Sequence, residues 1–140
     1  MPEWRILRLR AKVDTGARSS ALHVENLREL GAERVAFDVR LHRERADRRV
    51  TIEAAVKRRA RVRASTGVSE TRVFVETTLR IGPVVERVEL GLVDRGKMLY
   101  RMLLGRTALG QHFLVDPSRR YLVTTEQRRS GAPRRPVRLP

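Results

Sequence analysis

Alternating hydrophobic and polar residues recur along the chain and predict a fold made mainly of β-strands. In residues 7–13, Leu, Ala and Val occupy every second position between Arg and Lys, which is the period of a half-buried strand. The same period returns in four more runs, at 35–41, 50–56, 73–81 and 88–92. Residues 98–104 carry apolar side chains on both faces, as a strand buried on both sides does. A helical period is almost absent.

The segments between these runs are rich in turn-forming or charged residues. Residues 18–24 are ambiguous between strand and loop, and 25–32 predict a loop with at most one helical turn. A basic stretch, 57–64, leads to small residues at 65–70 that are typical of a mobile hairpin tip. Residues 106–110 leave room for only a short helix.

The C-terminal part of the chain differs from the rest. Phe113–Val115 and Tyr121–Val123 flank Asp116-Pro117-Ser118, which predicts a last hairpin with a proline turn. After that hairpin Arg, Pro, Ser and Gly dominate, and no apolar period remains. We therefore predict one domain over residues 1–125 and a basic, disordered tail over 126–140.

The number of predicted strands and the composition together define the fold class. Some eight or nine short strands, with one short helix near the end, predict an all-β fold, either a barrel or a sandwich. The length of 140 residues suits one such domain. Hydrophobic residues make up 41% of the chain and aromatic residues only 4%, so the core must be built mostly from Val, Leu, Ile and Ala.

The charge of the chain is strongly positive, with 31 Lys and Arg against 16 Asp and Glu and a net charge of +15. Such a field favours polyanionic partners, namely nucleic acid, an anionic membrane or peptides rich in Glu and Asp. The alternative is an arginine-rich composition that only decorates solvated faces. The absence of Cys excludes disulfides, thiolate zinc sites and cysteine nucleophiles. Because Arg and Lys interrupt every apolar run near the N-terminus, we expect a cytoplasmic protein with no secretory signal and no membrane helix.

The candidate chemistry centres on Asp14-Thr15-Gly16, where the first predicted strand ends. Asp, Thr and Gly all suit a tight turn, so the tripeptide is open to a purely structural interpretation. A carboxylate held at the end of a strand can also act as a general acid or base. The tripeptide alone does not decide between these interpretations.

A second motif far downstream supports the catalytic interpretation. Met102-Leu103-Leu104 ends in Gly105-Arg106 and precedes the predicted short helix. This succession of features resembles that of the retropepsins, which are single-domain aspartic proteases that act as homodimers. Their chains have an Asp-Thr-Gly-Ala strand end, then a hairpin tip, and then two apolar residues and Gly-Arg before a short helix. The order and approximate spacing of these features agree with that pattern.

Longer strings narrow the resemblance. Ala11–His23, Met102–Leu109 and Phe113–Pro117 look like the bacterial RimB-like, retropepsin-like peptidases long labelled ATP-dependent zinc proteases. A member of that family accompanies RimK, a ligase that adds glutamates to a ribosomal protein. The resemblance covers about residues 6–125. It implies a closed barrel of the retropepsin (acid protease) type with one short C-terminal helix, and a functional link to an ATP-grasp glutamate ligase.

The resemblance implies that Asp14, Thr15 and Gly16 form the catalytic turn. Peptide hydrolysis needs both a base and an acid, and a two-fold dimer supplies both, because two Asp14 carboxylates about 3 Å apart share one proton. Thr15 would bond across the two-fold axis, and Gly16 would let the substrate backbone approach. The residues that would pass behind the turn as a structural ψ-loop and shield it from water are Leu103, Leu104 and Gly105.

Substrate binding is predicted at the end of the catalytic turn, at the hairpin tip and after the ψ-loop. The residues concerned are Ala17, Arg18, Ser65, Thr66, Gly67 and Arg106. Many retroviral enzymes have Asp where this chain has Arg18, and that Asp pairs with the downstream Arg. We hypothesise that Arg18, together with Arg106, binds substrate carboxylates. The alternative is that each arginine pairs with an internal acid such as Asp116 or Glu76.

We expect no metal and no cofactor. The three histidines, His23, His42 and His112, lack the close spacing of zinc ligands, and no Gly-rich Lys-Ser/Thr loop is present for ATP. The expected function is therefore that of an aspartic peptidase, a homodimeric hydrolase that cuts acidic peptides or the polyglutamate extension of a protein such as a ribosomal one. Two alternatives remain: a non-catalytic basic β-barrel that binds RNA, the ribosome or a protein partner, and a retropepsin fold that has lost activity.

Overall fold

A computed structural model describes residues 1–42, 45, 47–63, 66–94, 100–110 and 112–123. Its described part consists of nine β-strands, one 3₁₀ helix at Pro2–Trp4 and one short α-helix, α1, at Arg106–Leu109. The mostly β fold class and the single short α-helix near the end are thereby confirmed. The strands are β1 (Ala11–Val13), β2 (Ser20–His23), β3 (Glu25–Glu29), β4 (Arg34–Arg40), β5 (Arg49–Ala55), β6 (Arg58–Arg63), β7 (Ser69–Ile81), β8 (Val84–Val93) and β9 (Met102–Leu104).

The strands form two sheets. One has six strands in the order β1-β9-β2-β8-β7-β6, and the other has three in the order β3-β4-β5. In the larger sheet β1 runs parallel to β9 and β2 runs parallel to β8, whereas β6, β7 and β8 are antiparallel. The closed barrel is not confirmed, because pairing among the described residues leaves β1 and β6 as edges of one sheet and β3 and β5 as edges of the other.

Aliphatic side chains from both sheets build the core, as the composition predicted. Phe37, Leu22, Leu90 and Met102 are the largest of the fully buried side chains. Each contributes about 1.5–3 kcal/mol relative to an exposed position. The ring of Trp4 packs edge-on against Phe37 with the centroids 5.6 Å apart, so the N-terminal 3₁₀ helix is anchored to the core.

The predicted strand over residues 7–13 is shorter than expected. Only Ala11–Val13 pairs with another strand, and Leu7 is 95% exposed. The chain reaches this segment from the 3₁₀ helix, whose end is held by a bond from Arg5 N to Pro2 O at 3.0 Å. Residues 7–10 therefore have the alternating polar and apolar residues of a strand, but no strand of the described residues pairs with them.

Two segments predicted as loop or basic linker are strands. In β6, Arg58 stacks on the ring of Phe74 at 3.8 Å, and Arg59 donates two hydrogen bonds to Glu29. Partners on other strands therefore stabilise the positive charges of these two arginines. In β3, Asn26 adopts a φ of 52° at a register shift and donates to the buried Asp38 carboxylate at 2.8 Å. Both strands depend on polar partners that a hydrophobic pattern does not reveal.

The predicted last hairpin is wrong in its strands and correct in its turn. Ser118 N donates to Asp116 Oδ1 at 2.9 Å, and Arg119 N donates to Asp116 O at 3.3 Å. Residues 112–123 contain no strand, and Leu114 is 99% exposed. The predicted tail at 126–140 and the first residues of the 98–104 run lie outside the described residues.

Candidate active site

Asp14 lies where β1 ends, in a turn whose backbone and side chain are both fixed. Its N–H donates to Leu104 O at 2.9 Å, and its carbonyl accepts a bond from Ala17 N at 3.2 Å. Gly16 N donates to Asp14 Oδ1 at 3.0 Å. One carboxylate oxygen is thus oriented by the turn itself, while the side chain remains half-buried and accessible. The structure places Thr15 and Gly16 on the exposed side of this turn.

The strand β9 passes between the two strands that flank the turn. Val13 of β1 is in register with Leu104, and Ala21 of β2 is in register with Leu103. Because Leu104 and Met102 are buried, their side chains fill the space beneath the turn. The geometry therefore brings together the two motifs that lie about 90 residues apart in the sequence.

Gly105 follows β9 at a position that excludes any side chain. A Cβ at this residue would lie 2.5 Å from Ser19 O and 2.9 Å from Arg18 O. Its N–H donates to the buried Ser20 Oγ at 3.0 Å. The backbone of the chain after β9 therefore packs directly on the backbone of the segment after the Asp14 turn.

The first residues of α1 hold the same segment. The Arg106 guanidinium donates from Nη1 to Thr15 O at 2.9 Å, and Arg106 N donates to Ala17 O at 2.9 Å. Thr107 donates to Arg18 O from both its N, at 3.1 Å, and its Oγ1, at 2.9 Å. Thr107 and Ser20 were not predicted as site residues, because the sequence does not show that a Ser or Thr side chain binds a backbone group far away in the chain.

Arg18 is exposed, and no acid of the described residues forms an ion pair with it. The internal partners considered from the sequence bind elsewhere. Glu76 pairs with Arg87 at 2.8 Å and with Lys57 at 3.4 Å, and Asp116 accepts bonds from Ser118. The alternative in which these two acids neutralise Arg18 is therefore wrong.

A polar cleft of about 530 Å³ opens beside Arg18. The residues that line it are Arg18, Ser19, Arg58, Glu76, Arg87, Val88, Glu89, Thr107 and Ala108. Arg58 pairs there with Glu89, and Arg87 pairs with Glu76. Because these four side chains compensate one another, Arg18 is the cation without an ion pair among the described residues that line the cleft, and a guanidinium group is suited to binding a carboxylate.

The strands β6 and β7 form the hairpin that was predicted before the second motif. Arg63 pairs with Ser69, and the described residues between them are Thr66, Gly67 and Val68. Thr66 and Gly67 are exposed there, and Gly67 has a φ of 84° that favours glycine. Ser65 lies outside the described residues. Among the described residues, no backbone hydrogen bond joins this tip to the Asp14 turn.

His23, seven residues after Gly16, is a core residue. Its side chain is 3% exposed, and its Nδ1 has no hydrogen-bond partner among the described residues. Burial and the nearby Arg101 guanidinium lower the pKa of His23. Within the part of the chain that the structure describes, no three His, Asp or Glu side chains are grouped as ligands of a metal ion would be. None of the described helices has the length and apolar character needed to span a bilayer.

Comparisons with known proteins agree with the arrangement of the two motifs. Residues 1–126 match a family model described as RimB-like, retropepsin-like aspartic endopeptidase RimB. A protein of Desulfotalea psychrophila named probable alpha-L-glutamate ligase is 37% identical over 122 residues, covering 84% of this chain and 26% of that protein. A protein of the same name from Shewanella pealeana is 38% identical over 115 residues, covering 79% and 25%. The chain thus spans about a quarter of the length of the curated relatives it matches.

A crystal structure shows the same fold. The Legionella pneumophila protein Lpg0085, whose function is described as unknown, superposes with a TM-score of 0.56 and 27% sequence identity. The match covers 72% of this chain and 73% of that one.

Proposed function

The chain belongs to the RimB-like family of retropepsin-like aspartic endopeptidases, and we propose that it is an aspartic peptidase that works as a homodimer. The observation that carries this proposal is the passage of β9 behind the Asp14 turn. It fixes Asp14 N on Leu104 O while leaving the carboxylate accessible. This is the arrangement that a preorganised acid or base requires, because the group is held by the fold before substrate arrives.

The homodimer follows from the chemistry that one chain lacks. Each chain contributes one carboxylate at the turn, whereas water activation and proton donation need two groups. The Thr15 side chain has no hydrogen-bond partner among the described residues, which suits a bond across a two-fold axis. Exposed apolar side chains along residues 113–123 also suit burial against a second copy.

In the proposed reaction the two Asp14 carboxyl groups share one proton. The ionised carboxylate takes a proton from water as the water oxygen bonds to the carbonyl carbon of the scissile peptide. The protonated carboxyl gives its proton to the carbonyl oxygen, which yields a neutral gem-diol. When the C–N bond breaks, one carboxyl protonates the leaving nitrogen and the other takes a hydroxyl proton from the diol. Leu104 excludes water from behind the turn throughout.

Substrate binding is proposed on both sides of this turn. The hairpin tip, with Ser65, Thr66 and Gly67, would cover the peptide, and Ala17 would meet its backbone. Arg18, exposed and without an ion pair among the described residues, would bind a substrate carboxylate in the adjoining cleft. Arg106 would hold the turn from below through Thr15 O.

The substrate class we propose is an acidic segment, such as a polyglutamate extension of a ribosomal or other protein. Two observations support it. The net charge of the chain is +15, and the chain matches about a quarter of the length of proteins named probable alpha-L-glutamate ligase. A hydrolase that occurs together with a glutamate ligase of the ATP-grasp type could trim what the ligase adds.

The test is hydrolysis of a synthetic peptide that ends in several glutamates. Asp14→Asn should abolish cutting and leave the thermal unfolding curve and the sedimentation of the dimer unchanged. Asp47→Asn, at an exposed carboxylate in the turn before β5, is the matched control and should cut at the wild-type rate. Cutting by Asp14→Asn would refute the aspartic mechanism.

A second candidate is a basic binding module without catalysis. The observation in its favour is the excess of exposed arginines, which suits RNA or the ribosome. Aromatic residues suited to base stacking are scarce, and Trp4 packs on the core. Absence of hydrolysis, together with tight and salt-sensitive RNA binding that Asp14→Asn leaves unchanged, would support this candidate and exclude the first.

A further inference from the structure

Residues 7–10 have the alternating pattern of a strand and, among the described residues, no strand pairs with them. Leu9 and Ala11 pack against the core, while Arg8, Arg10 and Lys12 are exposed. Among the described residues, no hydrogen bond joins the backbone of residues 7–10 to any other group. The strand β1, which continues this segment, pairs with β9 on one side and, among the described strands, is the edge of its sheet on the other. A row of backbone donors and acceptors is therefore open for pairing.

The charge of the same segment selects the partner. Residues 5–13 contain four cations and no acid, and Arg8, Arg10 and Lys12 form no ion pair within the described residues. In an extended chain such alternate side chains repeat every 7 Å or so, which is also the spacing of alternate side chains on a neighbouring strand. An extended peptide with carboxylates at alternate positions would meet all three cations at once.

Other strands of this protein fit the segment poorly. A second copy of residues 7–13 would place arginine opposite arginine, and like charges directly opposite destabilise a strand pair. Residues 126–140 carry five Arg and one Glu, so this part of the chain would also be repelled. Nucleic acid would satisfy the cations and leave the backbone donors and acceptors of the strand edge without their usual partners.

We propose that residues 7–13 are a docking strand for an extended Glu- or Asp-rich polypeptide, which adds to the sheet edge and pairs its alternate carboxylates with Arg8, Arg10 and Lys12. The docking strand runs directly into the Asp14 turn, so a bound acidic chain would be delivered beside the candidate active site. This surface is separate from the cleft at Arg18, and its binding does not depend on catalysis.

The binding experiment uses a fluorescent ten-residue peptide with Glu at every second position and the full chain carrying Asp14→Asn, so that no peptide is cut. The triple variant Arg8→Glu/Arg10→Glu/Lys12→Glu should bind at least tenfold more weakly in fluorescence anisotropy at fixed ionic strength. The matched control is Arg48→Glu/Arg61→Glu/Arg80→Glu, which makes the same change of charge at exposed arginines elsewhere and should lose less than threefold. Equal losses in both variants would overturn the proposal, because the net field alone would explain binding.

Two changes to the peptide test the strand geometry without altering the protein. A thirteen-residue peptide that keeps the five glutamates but has them at every third position should bind at least fivefold more weakly. Methylation of alternate backbone nitrogens on the pairing edge should weaken binding similarly. Unchanged affinity in either case would overturn the proposal, as would a ten-nucleotide RNA that binds more tightly than the peptide and loses affinity in the same triple variant. Because the binding assay needs no hydrolysis, its failure is distinguishable from failure of the proposed peptidase function.

Discussion

Arg106 donates from its guanidinium to the carbonyl oxygen of Thr15 at 2.9 Å, although the two residues are 91 positions apart in the chain. In enzymes with Asp after the Asp-Thr-Gly-Ala motif, the corresponding arginine has a carboxylate to bind. Here Arg18 occupies that position, and Arg106 binds the backbone of the turn instead. The charged side chain thus stabilises the loop that holds Asp14.

We predict that Arg106→Ala lowers kcat by about tenfold to a hundredfold and changes KM less than threefold, because a misplaced catalytic group slows the chemical step more than it weakens binding. Arg106→Lys should recover part of the loss. The measurement is steady-state kinetics on the glutamate-tailed peptide, with the exposed Arg80→Ala as control. A change confined to KM would instead support the interpretation that Arg106 binds substrate.

Gly105→Ala should destabilise the protein by about 3 kcal/mol or more, because the new methyl group would lie 2.5 Å from the carbonyl oxygen of Ser19 and the backbone cannot easily move. The matched control is Gly91→Ala. Its added methyl group would meet Arg72 Cδ at 2.8 Å and Phe74 Cε1 at 3.0 Å, both of which belong to side chains that can adjust. In urea unfolding, the free energy of unfolding of the control should decrease by about 1 kcal/mol. Equal losses would mean that the close backbone contact at Gly105 is unimportant.

The strands in which hydrophobic and polar residues alternate clearly could be predicted from the sequence, whereas β3 and β6 could not. In β4 and β7 the apolar residues of the alternation are buried in the core, although some of the residues between them, such as Asp38 and Phe74, are buried as well. In β6 four of six residues are arginine, and the strand is stabilised by Arg59 on Glu29 and Arg58 on Phe74. Such partners come from distant parts of the chain, so no local pattern identifies them. The opposite error arose at residues 7–10, where alternation is present and a strand partner is absent from the described structure.

The turn of the candidate site could be located from the sequence, and its supports could not. Asp14 and Gly105 stand in recognisable strings, and the crossing of β9 between β1 and β2 brings them together. The bonds of Ser20 and Thr107 join side chains to backbone groups more than 80 residues away. Because Ser and Thr occur in every kind of environment, only the three-dimensional structure distinguishes these two from their neighbours.

Arg18→Ala should lower kcat/KM for a glutamate-rich peptide by about tenfold and leave a neutral peptide of the same length within twofold. The reason is that Arg18 is exposed beside the cleft and forms no ion pair with an acid of the described residues, so no such pair has to break before a substrate carboxylate binds. Arg18→Lys should retain part of the preference, because it keeps the charge and loses the bidentate geometry. Competition between the two peptides in one reaction measures the ratio directly. Equal losses for both peptides would show that Arg18 supports the turn and does not select substrate.

The stability of the protein should fall as the pH decreases from 8 to 5, and His23 should account for part of the fall. Its pKa is lowered in the folded state by burial, by Arg101 and by Arg40, while Glu25 and Asp94 oppose these effects. The unfolded chain binds the proton at the ordinary value of about 6.5, so below that pH protonation favours unfolding. The contribution is complete above the ordinary pKa of histidine and is lost progressively towards the folded pKa.

His23→Leu removes this titration and fills the same buried position with an apolar side chain. Near pH 8 its free energy of unfolding should lie within about 1 kcal/mol of the wild type, because the buried Nδ1 has no hydrogen bond with a described residue to lose. As the pH decreases to 5, the variant should become progressively more stable than the wild type in urea unfolding. Parallel curves for His23→Leu and the wild type would show that His23 carries no part of the acid sensitivity, since only a proton taken up on unfolding can tilt one curve against the other.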